Sequence, residues 1–225
     1  LLVEVADVIR EAEANDAIRC VVLTGNDRAF SAGADIKEMP QRGDVPMWAE
    51  KNRLQSWRAI GNFKKPLIAA VNGWALGGGH DLLLLCDIVI VGENAKIGVP
   101  EVKIGAFAGD GGTQRCTRII GRTRAMYMHL TGDPIDAETA CAWGLATEIT
   151  PVEKTVERAI EIAATIAKWS PIATQMIKEE IRMNEKMPMD ESLSLERKLL
   201  LWQTEDHDEG IAAFIEKREP HFTGR

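Results

Sequence analysis

The sequence has few cysteines and pairs none of them. Cys20, Cys86, Cys116 and Cys141 are scattered through 225 residues with no CxxC motif, which excludes a disulfide framework and a thiolate metal site. Cys20 and Cys86 fall in or beside apolar strands, so they read as buried structural thiols in a reducing compartment. His80, His129, His207 and His221 lack metal-ligand spacing, and no metal is expected. No apolar run reaches the ~18 residues a membrane span needs, and no signal peptide is visible. A cytoplasmic location is therefore expected, or the mitochondrial matrix in a eukaryote. Positive charge is not in excess either. A net charge of -7 excludes nucleic acid or an anionic membrane as the main partner, although a local basic patch can still grip a phosphate. Finally, no G-x-S-x-G elbow is present, which disfavours Ser/His/Asp hydrolysis.

What is there is an ordinary globular composition, 45% hydrophobic and 27% charged, enough for one substantial core plus an appended element. One stretch organises it: Val71 to Asp87, VNGWALGGGHDLLLLCD. The apolar run Leu67 to Val71 ends at the Asn72-Gly73 turn signal, and Gly77, Gly78 and Gly79 then lead into a short apolar helix. Bare backbone amides at that helix's N-terminus suit a developing negative charge, and the absence of Cβ atoms lets a substrate oxygen approach the main chain. Asp81 places a carboxylate in the first turn. A dinucleotide fingerprint fails here, because the third glycine position is Leu82 and the next strand begins near Asp87.

Around this stretch, Leu1 to Asn15 reads as a helix already under way, and since Leu1 is not an initiator Met the beginning of the protein is expected to be missing. Ile18 to Thr24 reads as a buried strand. Arg28 to Glu38, RAFSAGADIKE, reads as a loop whose small residues let the main chain press on a flat ligand. Gln41 to Pro46 reads as a mobile loop, Val45 to Phe63 as an amphipathic helix, and Ile88 to Val91 as a strand. Pro100-Glu101 opens an irregular or short helical piece, and Gly109, Gly111 and Gly112 prepare another helix start. Helical patterns continue to Trp143, and Leu145 to Ile149 is a last strand. Thr150-Pro151-Val152-Glu153 predicts a capping box opening a helix to about Trp169. Beyond it the chain is helical, with apolar stripes at Met176, Ile177, Ile181, Leu193, Leu195, Leu199 and Leu200. Such stripes by default pack on their own domain. The composition shift suggests a core over residues 1–149 and a helical region over 150–225.

Two carboxylates near glycine-rich helix entries, Asp81 and Glu101, with amides at Gly77 to Gly79 and in the Ala32 to Ala34 loop, suit proton transfer beside a polarised carbonyl. His80 reads as a pocket-wall residue and Asp110 as a helix N-cap.

RAFSAGADIKEM, VNGWALGGGHDLLLLCD, VPEVKIGAFAGDGGTQR, LTGDPIDAETACAWGLATEI and EGIAAFIEKR, in that order, resemble the crotonase superfamily, the enoyl-CoA hydratase/isomerase family, from about Ile18 onward. The resemblance implies an α/β fold, a crotonase-like spiral of strand-strand-helix repeats with a helical C-terminal trimerisation region, assembled as a homotrimer or a hexamer of paired trimers. It implies an acyl-CoA thioester as substrate, with coenzyme A carried by the substrate and no separate cofactor. It places the adenine near Ala32, Ala34, Asp35, Ile36 and Lys37, with Lys37 near the CoA phosphates. The Ala34 and Gly78 amides would hold the thioester oxygen, and loss of one such donor costs about 3 kcal/mol in the barrier. Asp81 and Glu101 would be the acid/base pair of a hydratase adding water across C2-C3. Asp81 is one methylene shorter than the family glutamate, and a displacement of about 1 Å can cost roughly 100-fold. That departure keeps open an isomerase of the family, an enoyl-CoA isomerase or a dienoyl-CoA isomerase, the latter carrying a third acid at the position of Gly109; Asp110, one place off, either turns inward as that acid or is a helix N-cap. A non-catalytic acyl-CoA-binding or scaffold protein is the remaining alternative.

Overall fold

The computed structural model describes residues 1–35, 51–185, 187–196 and 204–225. Along the chain lie α1 (Leu2–Ala14), β1 (Val21–Thr24), β2 (Ala29–Ser31), α2 (Lys51–Gly61), β3 (Leu67–Val71), β4 (Trp74–Leu76), α3 (Gly78–Leu83), β5 (Ile88–Gly92) and β6 (Lys96–Gly98). A 3-10 turn at Pro100–Ile104 precedes α4 (Gly112–Ile120), α5 (Arg122–Thr131), β7 (Ile135–Asp136), α6 (Ala137–Trp143) and β8 (Glu148–Thr150). The chain continues with α7 (Thr155–Ile166), α8 (Pro171–Asn184), α9 (Met189–Glu196) and α10 (Glu205–Glu216).

The first six strands alternate between two four-stranded sheets, ordered β1-β3-β5-β8 and β2-β4-β6-β7, and β7 and β8 add the last strand to each. Each successive strand pair therefore climbs one step in both sheets, which is the expected spiral of strand-strand-helix repeats. All pairs in the first sheet are parallel, whereas β7 runs antiparallel to β6 in the second. The central strand β3, LIAAV, is buried at every position, as a parallel strand covered on both faces must be. One face meets the main core, including Ile60, Phe63, Leu83 and Met128. The other carries Ile68, Ala70 and Ile90 against Ala159 of α7.

Several elements differ from the sequence reading. Residues 29–31 form β2 and not loop, residues 74–76 form β4 and residues 96–98 form β6. Each is three residues long, too short to show alternation before its partner strand is known. The first sheet's edge strand starts only at Val21, and the last strand is shifted to Glu148–Thr150. The capping box does not form. Thr150 ends β8, and its hydroxyl donates to Thr155 Oγ1 at 3.0 Å. Thr155 Oγ1 in turn donates to Asn72 Oδ1 at 2.8 Å, so a buried network takes the group a cap would have used. Residues 152–154 form a 3-10 turn ahead of α7. The loop expected at Gln41 to Pro46 and the first turns of the helix expected from Val45 lie outside the described residues, as do Leu199 and Leu200.

α8 meets the core through its basic face. Asp87 Oδ2 accepts from the Leu67 amide at 2.8 Å and lies 2.7 Å from Lys178 Nζ, while Oδ1 lies 3.0 Å from Arg182. Lys178 and Arg182 also donate to the carbonyls of Lys65, Gly61 and Leu85. The apolar stripe points elsewhere: Ile177 and Ile181 are 58% and 62% exposed, which overturns packing within the same chain for these two residues. Removing one partner of a buried ion pair strands the other charge. Asp87→Ala should therefore lower unfolding stability by about 3 kcal/mol in chemical denaturation, and a change under about 1 kcal/mol would show that this cluster does not fix α8.

Candidate active site

Gly77 ends the passage from β4 with φ at 56°, a left-handed conformation open to glycine. It turns the chain into α3, where Gly78 is the first residue and has no intrahelical partner for its N–H. Gly33, at φ 89°, brings the loop after β2 alongside. A Cβ placed on Gly78 would sit 3.8 Å from Gly33 Cα and 4.0 Å from the Ala34 nitrogen. Ala34 and Gly78 are thus neighbours, although 44 residues separate them in sequence. Ala32, Ala34 and Asp35 lie on the exposed side of this loop. Ile36 and Lys37 lie outside the described residues.

The two acids reach the same place through glycines. Glu101, in the 3-10 turn, lies over Gly77, where a Cβ would stand 3.0 Å from Glu101 Oε1. Asp81, in the first turn of α3, is 1% exposed and rests on Gly112, where a Cβ would collide with Asp81 Oδ1. A Cβ at Gly112 would overlap the Asp81 carboxylate, and one at Gly77 would crowd Glu101.

Glu101 is half-buried, and burial pushes its carboxyl above the usual glutamate range, with the Asp81 charge adding to the rise. Its Oε2 is buried with no hydrogen-bond partner, an orphan of the kind that accepts a ligand or water. His80 is fully buried, and its Nδ1 lies 3.2 Å from Asp81 Oδ1. Beyond it, the His129 ring meets His80 edge to face at 6.2 Å. Burial keeps His129 below the usual histidine range. Burial also holds the thiols out of reach of ionisation, Cys86 up to about 12 and Cys20 and Cys116 up to about 11. Among the described residues no group of three His, Cys, Asp or Glu is placed to hold a metal ion.

Asp110 departs from its expected capping role. The N-cap of α4 is Gly111, which has no side chain to accept from the helix. The Asp110 carboxylate is drawn instead into an ion pair with Arg53 of α2. Burial raises the Asp110 carboxyl, partly offset by Arg53. Arg115 donates to the Asp110 carbonyl at 2.9 Å. Sequence spacing gave no sign of Arg53, since its partner lies 57 residues away.

The fold and this paired-acid, paired-amide geometry define the class. The chain matches the enoyl-CoA hydratase/isomerase family model over residues 1–225. It is 43% identical over 227 residues to an Escherichia coli protein named 2,3-dehydroadipyl-CoA hydratase, covering 100% of this chain and 89% of that one. It is 44% identical over 224 residues to the mitochondrial enoyl-CoA hydratase of Pongo abelii, covering 99% and 77%. A crystal structure described as an enoyl-CoA hydratase subunit from Geobacillus kaustophilus superposes with a TM-score of 0.93 at 40% identity, covering 100% and 88%. Another, of an enoyl-CoA hydratase from Bacillus anthracis, gives 0.91 at 36%, covering 100% and 88%. The chain belongs to the enoyl-CoA hydratase/isomerase family, within the crotonase superfamily.

The environment of Glu101 makes a direct expectation. In carboxyl-labelled protein followed by NMR, Glu101 titrates above the ordinary glutamate value, and Asp81→Asn brings it down by removing a neighbouring negative charge. A Glu101 that titrates normally, or that ignores the Asp81 substitution, contradicts this electrostatic picture.

Proposed function

We propose that the protein is a 2-enoyl-CoA hydratase, adding water reversibly across the C2-C3 double bond of an acyl-CoA thioester. The observation that carries the reading is the convergence of Ala34 and Gly78 with Glu101 and Asp81 at one entry to α3. In this reading the two amides take the thioester oxygen as it gains negative charge, lowering the barrier to attack at C3. Asp81, oriented by His80 Nδ1, removes a proton from water as the oxygen bonds to C3. Glu101, favoured in its protonated form by burial, delivers a proton to C2. The reverse direction exchanges the roles. His80 also answers the shortened acid: a fixed carboxylate one methylene short works if the backbone brings it close, and Gly112 permits that approach.

The dienoyl-CoA isomerase alternative needs a third acid free to shuttle a proton. Asp110 is the residue nearest that role, and its carboxylate is held by Arg53, which favours hydration. A purely binding role leaves the orphaned Glu101 oxygen without a purpose. CoA is carried in by the substrate, its adenine end on the Ala32 to Lys37 segment.

Assembly as a trimer or as paired trimers belongs to the same reading. Ile177, Ile181, Phe214 and Ile215 are all more than half exposed, and apolar surface on this scale marks contact with another chain. No helix among the described residues is long and apolar enough to cross a membrane. With free cysteines throughout, a cytoplasmic or matrix location follows from this reading.

Three outcomes test it. Crotonyl-CoA should lose its conjugated thioester absorbance with solvent ¹⁸O entering the product, whereas isomerisation of a dienoyl-CoA without solvent oxygen would favour the rival. Glu101→Gln should lower kcat by roughly 100-fold or more, with Gly112→Ala also impaired through displacement of Asp81. In light scattering the purified protein should have the mass of three or six chains, and a monomer at micromolar concentration would contradict the assembly.

A further inference from the structure

Asp81 Oδ1 is met from two elements. His80 Nδ1 lies 3.2 Å away on the same helix, and Gly112, the first residue of α4, approaches so closely that a Cβ there would collide with the carboxylate. His80 travels with α3, so the seat of the carboxylate depends on where the turn before α4 is placed. That turn, residues 109–112, has little local restraint. Gly111 is at φ 92°, and no side chain caps α4. Asp110 is the residue through which it is gripped: its carbonyl accepts from Arg115 Nη1 at 2.9 Å, and its carboxylate pairs with Arg53. Arg115 belongs to α4 and moves with the turn, whereas Arg53 comes from a different part of the chain. Its helix is firmly seated. Ile60 of α2 is fully buried, and the Gly61 carbonyl accepts from Arg182 at 2.8 Å.

We infer that Arg53 is a positioning residue for the reaction: through Asp110 it fixes the 109–112 turn on which Asp81 rests, and so sets the Asp81 carboxylate in place for the attacking water. The inference rests on the hydratase reading above. As a source of stability the pair is a poor choice, because the two side chains are only 21% and 9% exposed and charges withdrawn from water gain little from pairing. What it supplies is geometry, since a guanidinium holds a carboxylate in a fixed planar fork. It also offsets a charge. The Asp81 carboxylate acts on Asp110 and the Asp110 carboxylate on Glu101, each raising the other group, so an unpaired Asp110 would disturb both acids. A displacement of about 1 Å costs roughly 100-fold, and the step that uses Asp81 is the one that should register it.

The two protons of the reaction separate this role from a merely structural one. Water addition to crotonyl-CoA needs Asp81. Exchange of a C2 proton of butyryl-CoA in deuterated solvent needs only the amides and Glu101, which in this reading removes the proton and returns a deuteron. Arg53→Ala should lower kcat for hydration by roughly 100-fold with KM little changed, and should leave the exchange rate near that of wild type, the same split as Asp81→Asn. Asp110→Ala should behave alike, and Arg53→Ala/Asp110→Ala should be no worse than either single variant, because each breaks one chain of contacts. Arg53→Lys keeps the charge and should recover part of kcat. Where the thermal transition shows that Arg53→Ala does not fold, Arg53→Lys and Asp110→Asn carry the same comparison. Undiminished hydration in a folded variant overturns the inference and leaves the hydratase reading intact. Hydration and exchange that fall together overturn it equally, since the site as a whole is then damaged. Wild-type protein that hydrates without exchanging removes the inference alone, because the acids do not divide the protons as it requires. Wild-type protein that does neither removes the hydratase reading and the inference together.

Discussion

The site depends on the close approach of bare backbone to carboxylate. At Gly112 the space of a Cβ is taken by the Asp81 carboxylate, and at Gly77 a Cβ would crowd Glu101 at 3.0 Å. Backbone packed this tightly leaves the acids little freedom, which the proposed hydration requires of groups that must meet adjacent carbons. A neighbouring glycine, Gly78, is the first residue of α3 and has no intrahelical partner for its N–H.

Gathering carboxylates into a partly dry pocket has an electrostatic cost, and the surrounding residues share it. Burial raises the Glu101 carboxyl, the Asp110 carboxylate is paired with Arg53, and the Asp81 carboxylate lies within hydrogen-bond distance of His80 Nδ1. The three acids thus sit in three different environments, and in the proposed hydration that difference is what lets one give a proton while another takes one.

The C-terminal helices illustrate a second division of labour. α7 completes the core through Ala159, and α8 is pinned by Lys178 and Arg182 on Asp87. Its apolar residues are thereby turned outward. A stripe of Ile at helical spacing shows that a face is apolar, but the charged residues one turn away decide which face meets the core.

By itself the sequence determined the elements whose signals are local. β3 is legible from an unbroken apolar run and α3 from three glycines and a following acid, because each depends on contacts within a few residues; the structure adds equally local caps, Asp136 on α6 and Ser170 on α8. The approach of Ala34 to Gly78, the seating of Asp81 on Gly112 and the ion pair of Arg53 with Asp110 were decided only by the tertiary structure. Each joins residues 31 or more apart, so their energies depend on how the spiral stacks and leave no periodic trace. The same reason hid the three-residue strands β2, β4 and β6: a ladder that short is stable only where its neighbouring strand already stands.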